Sequence, residues 1–331
     1  MAEYINIRGQ SIEVLASDPA NPTIGQIWYN STSNTLKGAS LSPAGTWATA
    51  AALPTAMYQS RGFGIQTAAV NCGGDVSSTY DTQTTSNYDG TSWSPSGNLV
   101  GGRSYHGAAG IQTAGVVFGG FNGTIRLNTT EEYDGSTWTS VPATLATARN
   151  SMGSNGTQTA ALCVGGYDGS FYSNVEEYDG STWTAGGAYP QAGFGMGNMG
   201  TQTAALSAGG NLPPIGGVTA LSAEYNGTSW TVGNSLNTAR EELAGAGTQT
   251  AGLAFGGSVP GTGATAVTEE YDGTSWSTNP GSMNTGRNGS ATAVAAPSAA
   301  ALAMGGNAGP QTALVEEYSS PSLVTKTITA S

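Results

Sequence analysis

Six copies of one pattern, about 46 residues apart, predict an all-β chain folded as a six-bladed propeller with four strands per blade. Three observations carry this expectation. Gly-Gly pairs closing an apolar stretch fall at Gly73-Gly74, Gly119-Gly120, Gly165-Gly166, Gly209-Gly210, Gly256-Gly257 and Gly305-Gly306. A tyrosine follows each pair, at Tyr88, Tyr133, Tyr178, Tyr225, Tyr271 and Tyr318. A tryptophan stands five residues after the first five tyrosines, at Trp93, Trp138, Trp183, Trp230 and Trp276.

The elements of one unit follow in chain order. Seven residues before the first Gly of five pairs stands Gln66, Gln112, Gln158, Gln202 or Gln249, each opening Gln-Thr-Ala; the sixth copy has Ser298. Fixed spacing without insertion marks the run into Gly-Gly as a core strand. A glycine two residues before each glutamine, clearest in Asn155-Gly156, predicts a tight turn joining this strand to an earlier one. Between Tyr and Trp the chain reads Asp-Gly-Ser-Thr or a close relative. That predicts a two-residue Asp-Gly turn with Tyr and Trp on adjacent strands. One sheet of this size cannot bury both faces, whereas a ring of sheets buries each against the next. The sixth copy has Tyr318 but no following Trp, and an unpartnered Trp47 precedes the first copy. The strand around Trp47 is therefore expected to complete the last blade.

The apolar strand into Gly-Gly, the later Tyr and the later Trp make residues 35–320 resemble the kelch repeat, although fewer residues separate Tyr from Trp here than in the usual kelch unit. The resemblance implies a propeller and, most often, protein or glycan binding. It does not fix the function, which sits in sites grafted onto the fold.

Composition narrows the chemistry. Only 9% of residues are charged, and the net charge is −12 with nine Lys and Arg. A nucleic-acid partner needs a basic face, and an anionic membrane surface would repel this chain. No apolar run approaches the roughly 20 residues of a spanning helix, and Met1-Ala2-Glu3-Tyr4 opens without the regions of a secretory signal. Neither nucleic acid nor membrane insertion is expected, nor any metal or other cofactor. Cys72 and Cys163 fall in different copies and read as buried small side chains, not a disulfide. The single histidine, His106, cannot supply the two-histidine site of a kelch-type copper oxidase. A carboxylate-pair glycosidase stays open on residue types, but nothing marks a pair; a non-enzymatic role is expected. Asn155 and Asn226 match Asn-x-Ser/Thr and read first as turn residues.

The separation from each first Gly to its Tyr runs from 13 to 16 residues, while other spacings barely change. Such variable loops open on one face of a propeller and are where recognition resides. Tyr80, Phe121, Arg126, Tyr167, Phe171 and Tyr172 are the candidate binding residues there, with aromatics suited to sugar rings or protein hot spots. The alternative is that they pack their own loops. Arg103, Arg149, Arg240 and Arg287 share one repeat position, filled by Met57 and Gly193 in the other copies. On the innermost strand they could form a partial ring at the channel mouth for an anionic ligand, or satisfy loop carbonyls. Of each Glu-Glu before a Tyr, such as Glu131-Glu132, one is expected to pair locally and the other to be solvated, since adjacent strand residues point to opposite faces.

Residues 1–34 fall outside the repeat and 321–331 after it. Tyr4–Arg8 and Ile12–Val14 alternate like short strands. The run through Gly25-Gln26-Ile27-Trp28-Tyr29-Asn30 is similar to a segment of bacteriophage structural and tail-fibre-type proteins, especially marine ones. That resemblance implies a virion protein, docked through residues 1–34 with the propeller outward. Its partners would be other virion proteins, copies of itself, or a host surface glycan or receptor. A capsid decoration protein, a glycan-processing enzyme and an intracellular kelch-type module are the alternatives.

Overall fold

The computed structural model describes residues 12–23, 25–41, 45–76, 81–320 and 323–328, with backbone alone at 40, 41 and 323–326. The chain divides into two compact units, Thr46–Tyr318 and a second made of Met1–Gly45 with Ser319–Ser331. The larger unit is the six-bladed propeller. Blade 2 shows the plan: Gly107–Ile111, Ala114–Phe118, Thr129–Tyr133 and Trp138–Thr144 form an antiparallel sheet in that order. The first strands of the blades lie side by side around the centre, and that of blade 6 (Ala291–Thr292) returns to that of blade 1 (Arg61–Ile65). Blade 6 takes Thr46–Thr49, with Trp47, as its outer strand, so the ring closes as the sequence predicts.

The core is six clusters, one between each pair of neighbouring blades. Phe63, Val70 and Cys72 of blade 1 meet Val117, Tyr133 and Trp138 of blade 2; Leu302, Met304 and Val315 of blade 6 meet Ala69 and Tyr88 of blade 1. The Gly-Gly pairs are the joints between blades. Gly74 N donates to Arg103 O of the next blade at 2.9 Å, and Gly306 N donates to Met57 O at 2.8 Å across the closure. A Cβ on Gly73, at φ +61°, would stand 2.4 Å from that Arg103 oxygen, so only glycine fits.

Both predicted turns are placed differently. Thr157 pairs with Ala160, so the first hairpin turns at Gln158-Thr159. Asn155 and Gly156 lie inside the strand Gly153–Thr157, and buried Asn155 donates its Nδ2 to Thr201 O at 2.8 Å. The turn belongs to the glutamine because its amide staples blades. Gln112 Nε2 donates to Ala69 O (3.1 Å) and Tyr88 O (2.7 Å) of blade 1, and the other four glutamines repeat this. In the second hairpin Tyr133 pairs with Trp138, leaving a four-residue loop instead of a two-residue turn. Asp134 Oδ1 accepts the N–H groups of Ser136 and Thr137 at 2.8 and 2.7 Å, and Gly135 alone takes positive φ. These donors hold the Asp134 carboxyl below the usual range.

The outer tryptophans join blades through their indole N–H. Trp138, Trp183, Trp276 and Trp47 donate to Thr85, Thr130, Ser222 and Thr268 of the preceding blade. The same position is Val175 in blade 3 and Val315 in blade 6. Trp93 finds Ala51 O instead, at 2.9 Å, whereas the buried Trp230 Nε1 has no acceptor. Val175→Thr is thus expected to stabilise the propeller by about 1 kcal/mol by supplying the missing acceptor. Val315→Thr should give no gain, because Trp93 is already satisfied. Urea denaturation midpoints of the two variants check this contrast.

In the smaller unit Glu13–Leu15, Ile27–Asn30, Thr35–Leu41 and Leu323–Thr327 form one sheet in that order, the first pair parallel. The boundary expected after residue 34 therefore falls within a hairpin, and residues expected as a C-terminal tail supply a strand. Tyr4–Arg8 lie outside the described residues. Asp18 organises the motif around Trp28: it accepts Trp28 Nε1 (3.1 Å), Asn30 Nδ2 (2.7 Å) and Lys37 Nζ (2.7 Å). Lys37, then Asn30 and Trp28, lower its pKa to about 2.

Candidate functional site

A belt of six residues encircles the channel on the loop face. Gln59, Tyr105, Ser151, Gly195, Glu242 and Gly289 occupy one repeat position, two residues after the arginine position, and all are left-handed, the four non-glycines at φ +53° to +56°. Each N–H donates to the carbonyl of its counterpart in the preceding blade, at 2.8–3.1 Å, and Gln59 N closes the circle onto Gly289 O. The strain of non-glycine residues here, about 1 kcal/mol or more each, persists because the closed belt enforces the backbone.

Five belt residues line a pocket of about 580 Å³, counting the solvent it opens onto, together with Arg61, Met152, Phe194, Met196, Asn198 and Thr292. Its polar centre is Glu242. Tyr58 Oη, two positions further round the ring, donates to Glu242 Oε2 at 2.8 Å, and Asn288 Nδ2 donates at 2.6 Å. Burial raises the Glu242 pKa, and its neighbour Glu241 adds to this; burial and Asp75 push Tyr105 up to about 12. Arg61 replaces the small residues of the other first strands and donates to Gln59 Oε1 (3.3 Å) and Ser60 O (3.1 Å). Asn198 Oδ1 and Thr292 Oγ1, both on buried pocket residues, have no hydrogen-bond partner.

Of the two readings of the four arginines, the hydrogen bonds follow the structural one, with carbonyls as acceptors for Arg103, Arg240 and Arg287, and not the channel-mouth ring. All four arginines are buried, at 0–1% exposure, and each pairs with the first glutamate of its own blade: Arg103–Glu131, Arg149–Glu176 (2.8 Å), Arg240–Glu269 and Arg287–Glu316 (2.7 Å). The glutamate also receives backbone N–H groups of the incoming connection, as Asn237 N does on Glu269 at 2.6 Å, and Arg240 reaches Ala254 O. These pairs fix the blade connections and present no free cation. The second glutamate is not simply solvated. It accepts the tyrosine hydroxyl of the following blade, as Tyr178 Oη on Glu132 and Tyr88 Oη on Glu317, both at 2.8 Å. His106 and both cysteines are buried, and the cysteines are free thiols. Among the described residues no three His, Cys, Asp or Glu side chains gather as a metal site.

Of the loop aromatics, Tyr80 lies outside the described residues. Phe121 is half-buried and pairs with Ser104 and Arg126 through its backbone. Tyr172 donates to Asp168 Oδ2 at 2.6 Å and lies under Arg149. The remaining residues come together. Tyr167 is 5.1 Å from Phe171 and 6.1 Å from Phe194, and Phe171 and Phe194 lie 5.8 Å apart and nearly parallel, at 11°. The Arg126 guanidinium covers the Tyr167 ring at 4.9 Å. Phe171 is 39% exposed. The platform thus spans blades 2 to 4 and touches the channel pocket through Phe194.

Phe194, Glu242, Tyr58 and Tyr105 were absent from the sequence-derived candidates. No fixed residue marks these positions: they and the residues beside them change from copy to copy. With this geometry in place, the comparison with known families is consistent. The family model for the kelch motif matches residues 102–143, which span blade 2. The chain is a kelch-like repeat protein with a β-propeller fold. No curated protein matches the chain at a significant level.

Proposed function

We propose that this protein is a non-enzymatic component of a bacteriophage particle, in its tail or on its surface. In this reading the propeller's loop face binds a host surface glycan or receptor, or a neighbouring virion protein. The kelch repeat supports a propeller interaction module, and the virion assignment draws on the Gly25–Asn30 motif. The observation that carries the binding reading is the Tyr167–Phe171–Phe194 platform, an exposed Phe171 ring backed by two half-buried aromatics in loops on a rigid ring. Immunogold labelling of purified particles with antibody against residues 35–320 tests the location: label at the tail or head is expected, and its absence would leave only the kelch-type interaction module. Phe171→Ala is expected to weaken attachment of the propeller to host cells at least about tenfold, with an unchanged melting temperature. Undiminished attachment would move the binding surface elsewhere.

A further inference from the structure

We infer that the platform takes an anionic sugar, with the acidic group on Arg126 and a ring face on Phe171; this rests on the glycan reading of the loop face. The chain has nine basic residues. Four are the buried arginines held by glutamates, and Lys37 is held by Asp18. The side chains of Arg8 and Lys326 lie outside the described residues. Arg61 and Arg126 remain, both on the loop side of the propeller, and Arg61 is engaged by Gln59 and Ser60. The Arg126 side chain makes neither an ion pair nor a hydrogen bond among the described residues. Its Nε is buried without an acceptor, and its guanidinium lies over the Tyr167 face. Asp168, the carboxylate whose pKa Arg126 helps to lower, is taken by the Tyr172 hydroxyl and the Ser170 N–H.

The guanidinium is half-buried and has no protein acceptor among the described residues, so an incoming anion gains a charge-assisted hydrogen bond without displacing an internal partner. Its planar fork fits a carboxylate or a sulfate-type group through paired N–H donors, and stacking on Tyr167 fixes the plane. Beside it the exposed Phe171 ring, backed by the parallel Phe194, offers the flat apolar surface that a pyranose face covers. The net charge of −12 opposes general attraction of anionic polymers, so the recognition is local to this one cation.

The full chain would be tested on an array of matched oligosaccharides. Uronate- or sialate-bearing and sulfated members would each be paired with the carboxyl-reduced or desulfated neutral form. Acidic members are expected to bind at least about tenfold more tightly than their neutral partners. Arg126→Gln should remove that preference at an unchanged melting temperature, and Phe171→Ala should weaken acidic and neutral members alike. Whether carboxylated or sulfated members lead identifies the acidic group. Equal binding of neutral partners, or a preference that survives Arg126→Gln, would overturn the inference and leave the glycan reading standing. No binding to any member would overturn both.

Discussion

Arg240→Met is expected to destabilise the propeller by about 3–5 kcal/mol, because it strands the Glu269 carboxylate in the core. Glu269 is fully buried, and besides Arg240 it has only the N–H groups of Asn237 and Thr238. The chain itself indicates how that loss is reversed. In the two blades without the arginine, the glutamate is also missing: Met57 goes with Ser86, and Gly193 with Ala223. At the residue whose N–H the glutamate receives, those two blades carry Pro54 and Pro190, and proline has no N–H to satisfy. Arginine, glutamate and a free N–H are present together or absent together. The triple variant N237P/R240M/E269S should therefore recover most of the stability. A residual cost of about 1 kcal/mol is expected from the lost Asn237 Nδ2 bond to Trp276 O. Chemical denaturation with an unchanged slope reads both numbers. A triple variant no more stable than R240M would show that the three positions are not one unit.

That coupling marks what the sequence disclosed and what it withheld. The Gly-Gly joints, the Tyr and Trp strands and the closure by Trp47 were legible because each is a fixed residue at a fixed spacing, imposed by contacts that only one side chain satisfies. The arginine position was legible too, with a structural role on carbonyls as one of its two readings, but its glutamate partner was not. A spacing shows that a residue recurs and not which way it points, and Arg103 turns into its blade toward Glu131 instead of facing the channel. The belt through Gln59, Tyr105, Ser151 and Glu242 was illegible for a different reason. Its left-handed backbone is enforced by six inter-blade hydrogen bonds and not by any residue preference, so nothing local announces it. The Gln-Thr turns were misplaced because Asn-Gly is the stronger local turn signal, and a glutamine amide with two carbonyls in the preceding blade outweighs it. The binding platform was half legible. Tyr167 and Phe171 sit in a variable loop, whereas Phe194 sits beside the repeated arginine position and reaches them only through the curvature of the ring.

Trp47→Ala is expected to cost about 3–5 kcal/mol, and to do so differently from the same change in another blade. Trp47 is 6% exposed, lies 4.8 Å from Phe255 and 5.3 Å from Tyr318, and donates Nε1 to Thr268 Oγ1 at 3.0 Å. Trp183 is built alike, 4.6 Å from Phe118 and bonded to Thr130, so its loss should cost a similar amount of packing. The difference is covalent. The strands of blade 3 are consecutive in the chain, and a loosened Trp183 strand stays tethered to its own sheet by a four-residue loop. The strand of Trp47 joins blade 6 from the other end of the repeat array. Only non-covalent contacts hold it there, including Ala50 N on Val315 O and Leu53 N on Ala313 O, both at 2.9 Å. Releasing it opens the ring between blades 6 and 1. Amide exchange in W47A should therefore rise in both of those blades, whereas in W183A it should rise in the outer strand of blade 3 alone. Exchange in W47A confined to residues 46–49 would mean that the belt of backbone bonds, and not the shared blade, keeps the ring closed.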